Sequence, residues 1–334
     1  MRVIQASAMG VCFGVRDAIN ITEHVAEPVQ VTVYGELVHN PLVRERMQQR
    51  GFQHSGEGGC RDEIPATSQV LITAHGISRR REAQLLAAGK TLLDTTCPLV
   101  RKAHASAISL RDQGYHVLVI GRPGHVEVQG ITEDLYSFDI LPDVAAVRTY
   151  TSDRLGIVCQ TTTPTVLAQQ VQAMVEEMNP HAEIKYIDTI CQPTKDRQVA
   201  VEDLLDQVKT VVVVGGWNSN NTRQLAQRCR DRGAVVYHIQ SAEELDPRWF
   251  EGVQSVGLTA GTSTLPETIQ SVYQALVALE ATPKVADAPA LRPAGPQRKN
   301  RGTAFRLNMR AAVAEDGRFE KSALRGLPHR GSGD

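Results

Sequence analysis

From the N-terminus to about residue 279, short runs rich in valine and isoleucine alternate with segments that carry apolar residues at helical spacing. This alternation constrains the fold more than any other feature, because strand–helix–strand order makes neighbouring strands parallel and sets helices over the sheets. Strands are predicted at 31–34, 69–73, 91–94, 116–120, 155–159, 184–187, 211–214, 235–238 and 255–258. Asn40-Pro41 marks one helix start, a capping side chain followed by the proline that the first helical position tolerates, and Ser78 marks another. After Cys97, residues Val100, Ala103, Ala107 and Leu110 recur at helical spacing. Folds of this kind bind ligands at the carboxyl ends of strands, in the loops that lead into helices.

Those loops are where the unusual residues lie: GELVHN, TAHGIS, DTTCP, GRPGHVEV, CQTTTP, DTICQP, GGWNSNNT and TAGTSTLPE. One such loop means little, whereas eight point to a common site. Two of them repeat a spacing, Asp94-Thr95-Thr96-Cys97 and Asp188-Thr189-Ile190-Cys191, each between a strand and a helix. Cys12, in MGVCFGVRDAI, has a similar setting without the Asp-Thr. The three cysteines are 85 and 94 residues apart, about one small α/β unit each. The economical expectation is three similar α/β units with mostly parallel sheets, each bringing one cysteine to a shared centre.

The 334 residues carry a net charge of −1, which argues against a broad nucleic-acid-binding surface. No apolar run reaches the roughly 18 residues of a membrane span, and the opening MRVIQASAMG lacks the long apolar run of a signal peptide. The expectation is a cytoplasmic protein with neither nucleic acid nor membrane among its partners. Beyond residue 280 the texture changes to proline, alanine and charge without an apolar period, and residues 284–334 hold 11 Lys/Arg against 5 Asp/Glu. Two readings of this basic segment, 281–334, are a solvated, disordered tail and a docking arm for an acidic redox partner.

Six cysteines without a C-x-x-C pair fit neither a disulfide framework nor a zinc ribbon. Cys159, within GIVCQ, is read as a buried hydrophobe, and Cys60 and Cys229 have no constellation around them. Cys12, Cys97 and Cys191 differ because a helix N-terminus follows each. Unpaired N–H groups there favour the thiolate, and soft thiolates select zinc, copper(I) or iron–sulfur clusters. Three distant thiolates with no close fourth suit a cluster with one open iron; a catalytic zinc and plain burial are the competing readings.

His39, His75 and His125 occupy loops after separate strands, so they are candidates for one anion site that also handles protons. Glu127 is the natural proton donor, provided burial raises its pKa towards neutrality. It lies two residues from His125, a spacing expected to aim both side chains inward only if the segment is a loop. Thr161, Thr162, Ser219, Asn220, Asn221 and Ser263 supply hydroxyl and amide groups beside helix starts, suited to phosphate oxygens or to simple capping. Neither G-x-x-x-x-G-K-[ST] nor G-x-G-x-x-G occurs, so a P-loop kinase and a Rossmann dehydrogenase are disfavoured.

At these residues the chain resembles the 4-hydroxy-3-methylbut-2-enyl diphosphate reductases, which act last in the methylerythritol phosphate route to isoprenoids. The resemblance rests on GVCFGVRDAI, ELVHNP, TAHGIS, DTTCPLV, GHVEVQG, QTT, DTIC, NSNNT and TAGTS, in the family's order across residues 1 to about 280. It implies three α/β units around a central cavity, spanning 13–96, 97–190 and 191–280, the last completed by the N-terminal strand within 1–12. It also implies that Cys12, Cys97 and Cys191 hold a [4Fe–4S] cluster whose fourth iron meets the substrate hydroxyl. By the same resemblance, Glu127 helps deliver protons, while His39, His75, His125, Thr161, Ser219, Asn221 and Ser263 hold the diphosphate or order the cavity.

The implied reaction is a two-electron, two-proton reductive dehydroxylation of an allylic diphosphate, with ferredoxin or flavodoxin as electron donor. Two departures stand out. Asn220 occupies a position where many members have a second serine, and the proline- and arginine-rich tail is unlike the family's short C-terminus. Rival readings of the same residues are a cluster-bearing redox sensor without turnover and a zinc hydrolase.

Overall fold

A computed structural model describes residues 1–56 and 63–281; Cys60 and the basic tail lie outside the described residues. Twelve strands and nine α-helices among the described residues form three four-stranded sheets, and every strand pair is parallel. The first sheet contains β2 (Val31–Tyr34), β3 (Gln53–Ser55), β4 (Gln69–Ile72) and β5 (Thr91–Asp94), in the order β3-β2-β4-β5. The second has β6 (His116–Ile120), β7 (Phe138–Leu141), β8 (Arg154–Cys159) and β9 (Glu183–Tyr186), in the order β7-β6-β8-β9. The third has β10 (Thr210–Val214), β11 (Val235–Ile239), β12 (Ser255–Ala260) and β1 (Arg2–Gln5), in the order β11-β10-β12-β1.

The three orders are one pattern used three times, with the chain starting inside the third copy. Residues Arg2 to Gln5 pair in register with Ser255 to Leu258, so the first strand closes the last sheet. Central strands such as β10, TVVVV, are buried along their whole length, as parallel sheets covered on both faces require. The three strands missing from the periodicity forecast, β1, β3 and β7, all lie at sheet edges. Their burial is partial and they carry polar residues such as Gln53 and His54, so they show no continuous apolar run.

Helices α1 (Phe13–Glu23), α2 (Pro41–Gln49), α3 (Arg79–Ala87), α4 (Pro98–Asp112), α5 (Val126–Thr132), α6 (Thr165–Met178), α7 (Gln192–Leu205), α8 (Asn220–Asp231) and α9 (Pro266–Ala281) connect and cover the strands. Both anticipated caps are present. The Asn40 side chain accepts from the N–H groups of Leu42 and Val43, and Ser78 accepts from that of Arg81. On α4, Val100, Ala103, Ala107 and Leu110 are buried, as their spacing predicts. Among the described residues no helix is long and apolar enough to cross a membrane.

Candidate active site

Each cysteine of interest occupies the same place in its sheet: Cys97 follows β5, Cys191 follows β9 and Cys12 follows β1, the fourth strand of each order. Each is the N-cap of the next helix, α4, α7 and α1 respectively. Each cysteine N–H is held by a carbonyl just beyond the third strand, at Ala74 (3.1 Å), Thr161 (3.0 Å) and Thr262 (3.1 Å).

The D-T-x-C repeat builds this turn. Asp94 and Asp188 each accept from the N–H two residues on, at 2.8 and 3.1 Å, which lifts the chain out of the strand. Each aspartate also meets a cation seven residues later, Arg101 or Lys195, at 2.5 Å. Thr95 and Thr189, both buried, donate to the last carbonyl of the adjacent strand, at Ile72 (2.6 Å) and Cys159 (2.5 Å). The motif therefore fixes a backbone from which a cysteine projects.

All three cysteines line one central pocket, together with His39, His75, His125, Glu127, Thr161, Thr162, Ser219, Asn220, Asn221 and Ser263. Every residue anticipated for the site is thus brought to it. The sulfur of Cys97 lies against the first turn of α1, where a Cβ on Gly14 would come within 2.4 Å of it. The charges of Cys97 and Cys191 are each coupled to those of Cys12 and Glu127. Burial raises the Cys97 thiol, and the N–H groups of Leu99 and Val100 oppose it; burial likewise raises Cys191 to about 11. Desolvation thus outweighs the helix N-terminus, whose N–H groups pull towards the thiolate in the expected direction. A coordinating cation reverses this balance, because a ligating thiol is deprotonated outright. Among the described residues no three Cys, His, Asp or Glu side chains are gathered as a single metal ion would need.

Arg197, on α7, was not foreseen. It is buried, donates to the carbonyls of Gly10 (2.5 Å) and Pro193 (2.8 Å), and its charge is felt by Cys12 and Cys191. A sequence signal was available only in its position six residues after Cys191, on the helix that Cys191 caps.

In the same pocket, the rings of His39 and His75 lie 4.4 Å apart, and His125 lies 5.4 and 5.7 Å from them. His39 Nδ1 is 3.2 Å from Glu36 Oε2, and its proximity helps hold the Glu36 carboxyl below its usual range. His125 is pushed down to about 3, by burial first and then by the charges of His39 and Arg122, so it is neutral near pH 7. Its Nδ1 accepts the Glu127 N–H at 3.1 Å, which assigns the ring proton to Nε2. The His125–Glu127 segment is a helix start, not a loop, yet both side chains reach the pocket. His125 caps α5 with extended backbone angles, so its side chain leaves in a different direction from those of the helix that follows.

Glu127 is 1% exposed and both of its oxygens are used. The Thr161 N–H donates to Oε1 at 2.6 Å and the Thr161 hydroxyl to Oε2 at 3.0 Å. Burial nevertheless raises its pKa to about 7, against the opposing pull of the Thr161 bonds and His39. This is the neutral-range carboxyl that the sequence required of a proton donor.

The remaining polar groups join the sheets around the pocket. Ser263 Oγ donates to the His39 carbonyl at 3.2 Å, and Asn40 Nδ2 returns to the Ser263 carbonyl at 2.6 Å. Asn221 Oδ1 accepts from the Thr262 N–H at 3.0 Å. Ser219 caps α8 by accepting from Thr222 N, which leaves its own hydroxyl proton to donate elsewhere. Asn220 Nδ2 donates to Thr162 Oγ1 at 2.8 Å, and Gln160 Nε2 donates to the same oxygen at 3.0 Å. The asparagine thus orients Thr162, a reach that a serine at 220 would lack. Cys159 and Cys229 are fully buried and each pushed up to about 12 by burial, in keeping with a packing role.

Residues 3–277 match the family model described as LytB protein. The chain is 35% identical over 285 residues to the 4-hydroxy-3-methylbut-2-enyl diphosphate reductase of Methylibium petroleiphilum, spanning 84% of this chain and 86% of the relative. It is 34% identical over 280 residues to the enzyme of that name from Aquifex aeolicus, spanning 81% of this chain and 94% of the relative. Its fold is similar to the solved E-1-hydroxy-2-methyl-but-2-enyl-4-diphosphate reductase of Plasmodium falciparum, with a TM-score of 0.75 at 24% identity over 84% of this chain and 88% of the other. The chain belongs to the LytB protein family.

Proposed function

We propose that this chain reduces 4-hydroxy-3-methylbut-2-enyl diphosphate to isopentenyl and dimethylallyl diphosphate, with release of water. The balance is two electrons and two protons in, one C–O bond broken and one C–H bond formed. The observation that carries this reading is the convergence of three cysteines, three histidines and a near-neutral buried carboxyl on one cavity. The family is iron–sulfur dependent, and the donor set fits such a group. Three soft thiols at equivalent helix starts lining one pocket suit an inorganic core that brings its own bridging sulfides. We infer that Cys12, Cys97 and Cys191 hold a [4Fe–4S] cluster at the meeting point of units 13–96, 97–190 and 191–280 with 1–12. When bound, the cluster supplies electrons and a Lewis-acidic iron to the allylic C–OH bond.

The chain's own residues bind, orient and protonate. His125, neutral and with its proton on Nε2, donates to a diphosphate oxygen, and Ser219 and Asn221 do the same from the start of α8. His39 and His75 pack beside the His125 ring, and the Asn40–Ser263 and Ser263–His39 bonds hold Ser263 and the His39 backbone in place. With a pKa of about 7, Glu127 is protonated in a large share of molecules at neutral pH, and Thr161 fixes its orientation, so it is placed to protonate the departing hydroxyl. Protonation of the remaining allyl fragment at one end or the other sets the product. Electrons arrive from an outside one-electron carrier, a ferredoxin or flavodoxin.

His125→Phe is expected to weaken diphosphate binding about ten- to hundredfold, the value of a lost charge-assisted hydrogen bond. Calorimetric titration with inorganic diphosphate checks this, and an unchanged Kd removes His125 from the anion site. The reading as a whole is tested by anaerobic product analysis with the hydroxylated diphosphate and dithionite-reduced methyl viologen. Isopentenyl and dimethylallyl diphosphate are expected; iron-loaded protein without turnover would instead be a redox sensor.

A further inference from the structure

A second cleft adjoins the pocket and shares Asn220 with it as a common wall. It lies between the second and third sheets, bounded by the loops after β6 and β8, by α8 and by the Trp217 loop. Three arginines line it: Arg122 before α5, and Arg223 and Arg230 two turns apart on α8. All three are exposed, and among the described residues none of the three guanidinium groups has an ion-pair or hydrogen-bond partner. Their fields overlap along the cleft. Burial lowers the pKa of His238, with Arg230 and Arg223 adding to it against Gly215 and Glu244, and its ring packs 4.2 Å from half-exposed Trp217; burial and His39 lower that of His125 inside the pocket, with Arg122 adding to them.

In a chain whose net charge is −1, three unanswered cations on one concave surface are a local concentration of positive potential. Such a surface recruits an anionic partner and speeds its arrival. The position narrows the choice of partner. Asn220 and Gln160 in the cleft wall bond to Thr162 in the pocket, and the carbonyl of Thr161, the residue after Gln160, holds the Cys191 N–H at 3.0 Å. The reaction needs electrons from outside, and electron transfer through protein falls steeply with distance. The wall shared by cleft and pocket is therefore a useful place to dock a carrier, and an exposed tryptophan beside the arginines gives an apolar anchor of the kind found at interface hot spots.

We propose that this cleft docks an acidic one-electron carrier protein, with Arg223 and Arg230 pairing its carboxylates over Trp217. This rests on the reductase reading, so the decisive measurement is binding, which does not require turnover. The affinity of cluster-loaded protein for flavodoxin is measured in low and moderate salt for wild type, R223E/R230E and the milder R223Q/R230Q. Arg122 is left unchanged because its charge reaches His125.

The charge-reversed variant is expected to bind about tenfold or more weakly and to lose most of the salt dependence, with the neutral variant in between. Turnover driven by reduced methyl viologen is expected to stay within about twofold of wild type, while flavodoxin-driven turnover falls. Retained flavodoxin affinity in R223E/R230E overturns the proposal. So does an equal fall in dye-driven and flavodoxin-driven rates, which would make the cleft a support of the pocket. A wild type that binds flavodoxin through these arginines yet turns over no substrate with the dye would uphold the docking surface and refute the reductase reading.

Discussion

Glu127→Gln is expected to lower kcat by about two to four orders of magnitude, the range ascribed to a lost general acid, while the cluster and substrate binding are retained. The substitution preserves local structure for a specific reason. The amide oxygen still accepts the Thr161 N–H, and the amide nitrogen donates to the Thr161 hydroxyl, which rotates to accept. What is lost is the transferable proton.

The same group links stability to pH. Glu127 has a folded pKa of about 7 against an ordinary 4.5. Between those values the unfolded chain has released a proton that the folded chain keeps, so wild-type stability falls as pH rises through this window and levels off above it. Glutamine has no such dependence. The difference in unfolding free energy is therefore expected to be near zero at pH 4.5 and to grow in the variant's favour to about 3 kcal/mol above pH 7. Denaturant unfolding across that range checks it, and a pH-independent difference contradicts a raised carboxyl. Wild-type kcat/KM, which reports the free enzyme, is expected to fall above about pH 7 as the acid ionises.

Gly14→Ala is the second large effect, and helix propensity alone predicts the wrong sign. Alanine in the first turns of α1 would favour the helix by about 1 kcal/mol over glycine. The new Cβ, however, would sit 2.4 Å from Cys97 Sγ and 3.1 Å from Cys97 Cβ. Cys97 cannot retreat, because its N–H is held by the Ala74 carbonyl and Pro98 fixes the following turn. The sulfur must leave its present position, which displaces one of the three thiols. Overpacking of this kind costs about 1–3 kcal/mol, enough to lower cluster occupancy about tenfold. Far-UV circular dichroism is expected to match wild type while iron content and turnover fall together. Full iron loading in the variant would show that the sulfur does not face its partners in the way described.

Much of this site was legible because its chemistry and its backbone geometry share a motif. Asp94 and Asp188 turn the chain, Thr95 and Thr189 bind the turn to the next strand, and the cysteine follows at a fixed offset; a spacing repeat records all of that. Cys12 lacks the Asp-Thr and shows in the sequence only a similar setting before a helix and a one-unit spacing; the strand that puts it in the equivalent place appears in the order β11-β10-β12-β1, which no local window contains. Arg197 was missed because its partners are carbonyls 187 residues back and one helical turn away, leaving no charge pattern to find. The two inward side chains at 125 and 127 were misjudged because a capping residue belongs to neither the strand nor the helix period. Gly14 looks like an ordinary helix glycine until the sulfur of Cys97, far along the chain, is set against it.

Metal and acid-labile sulfide analysis of anaerobically purified protein tests the central claim most directly. The account predicts about four irons and four sulfides per wild-type chain, lost alike in C12S, C97S and C191S and unchanged in C229S. A single zinc without sulfide, or a cluster indifferent to the loss of any one of the three cysteines, would contradict it.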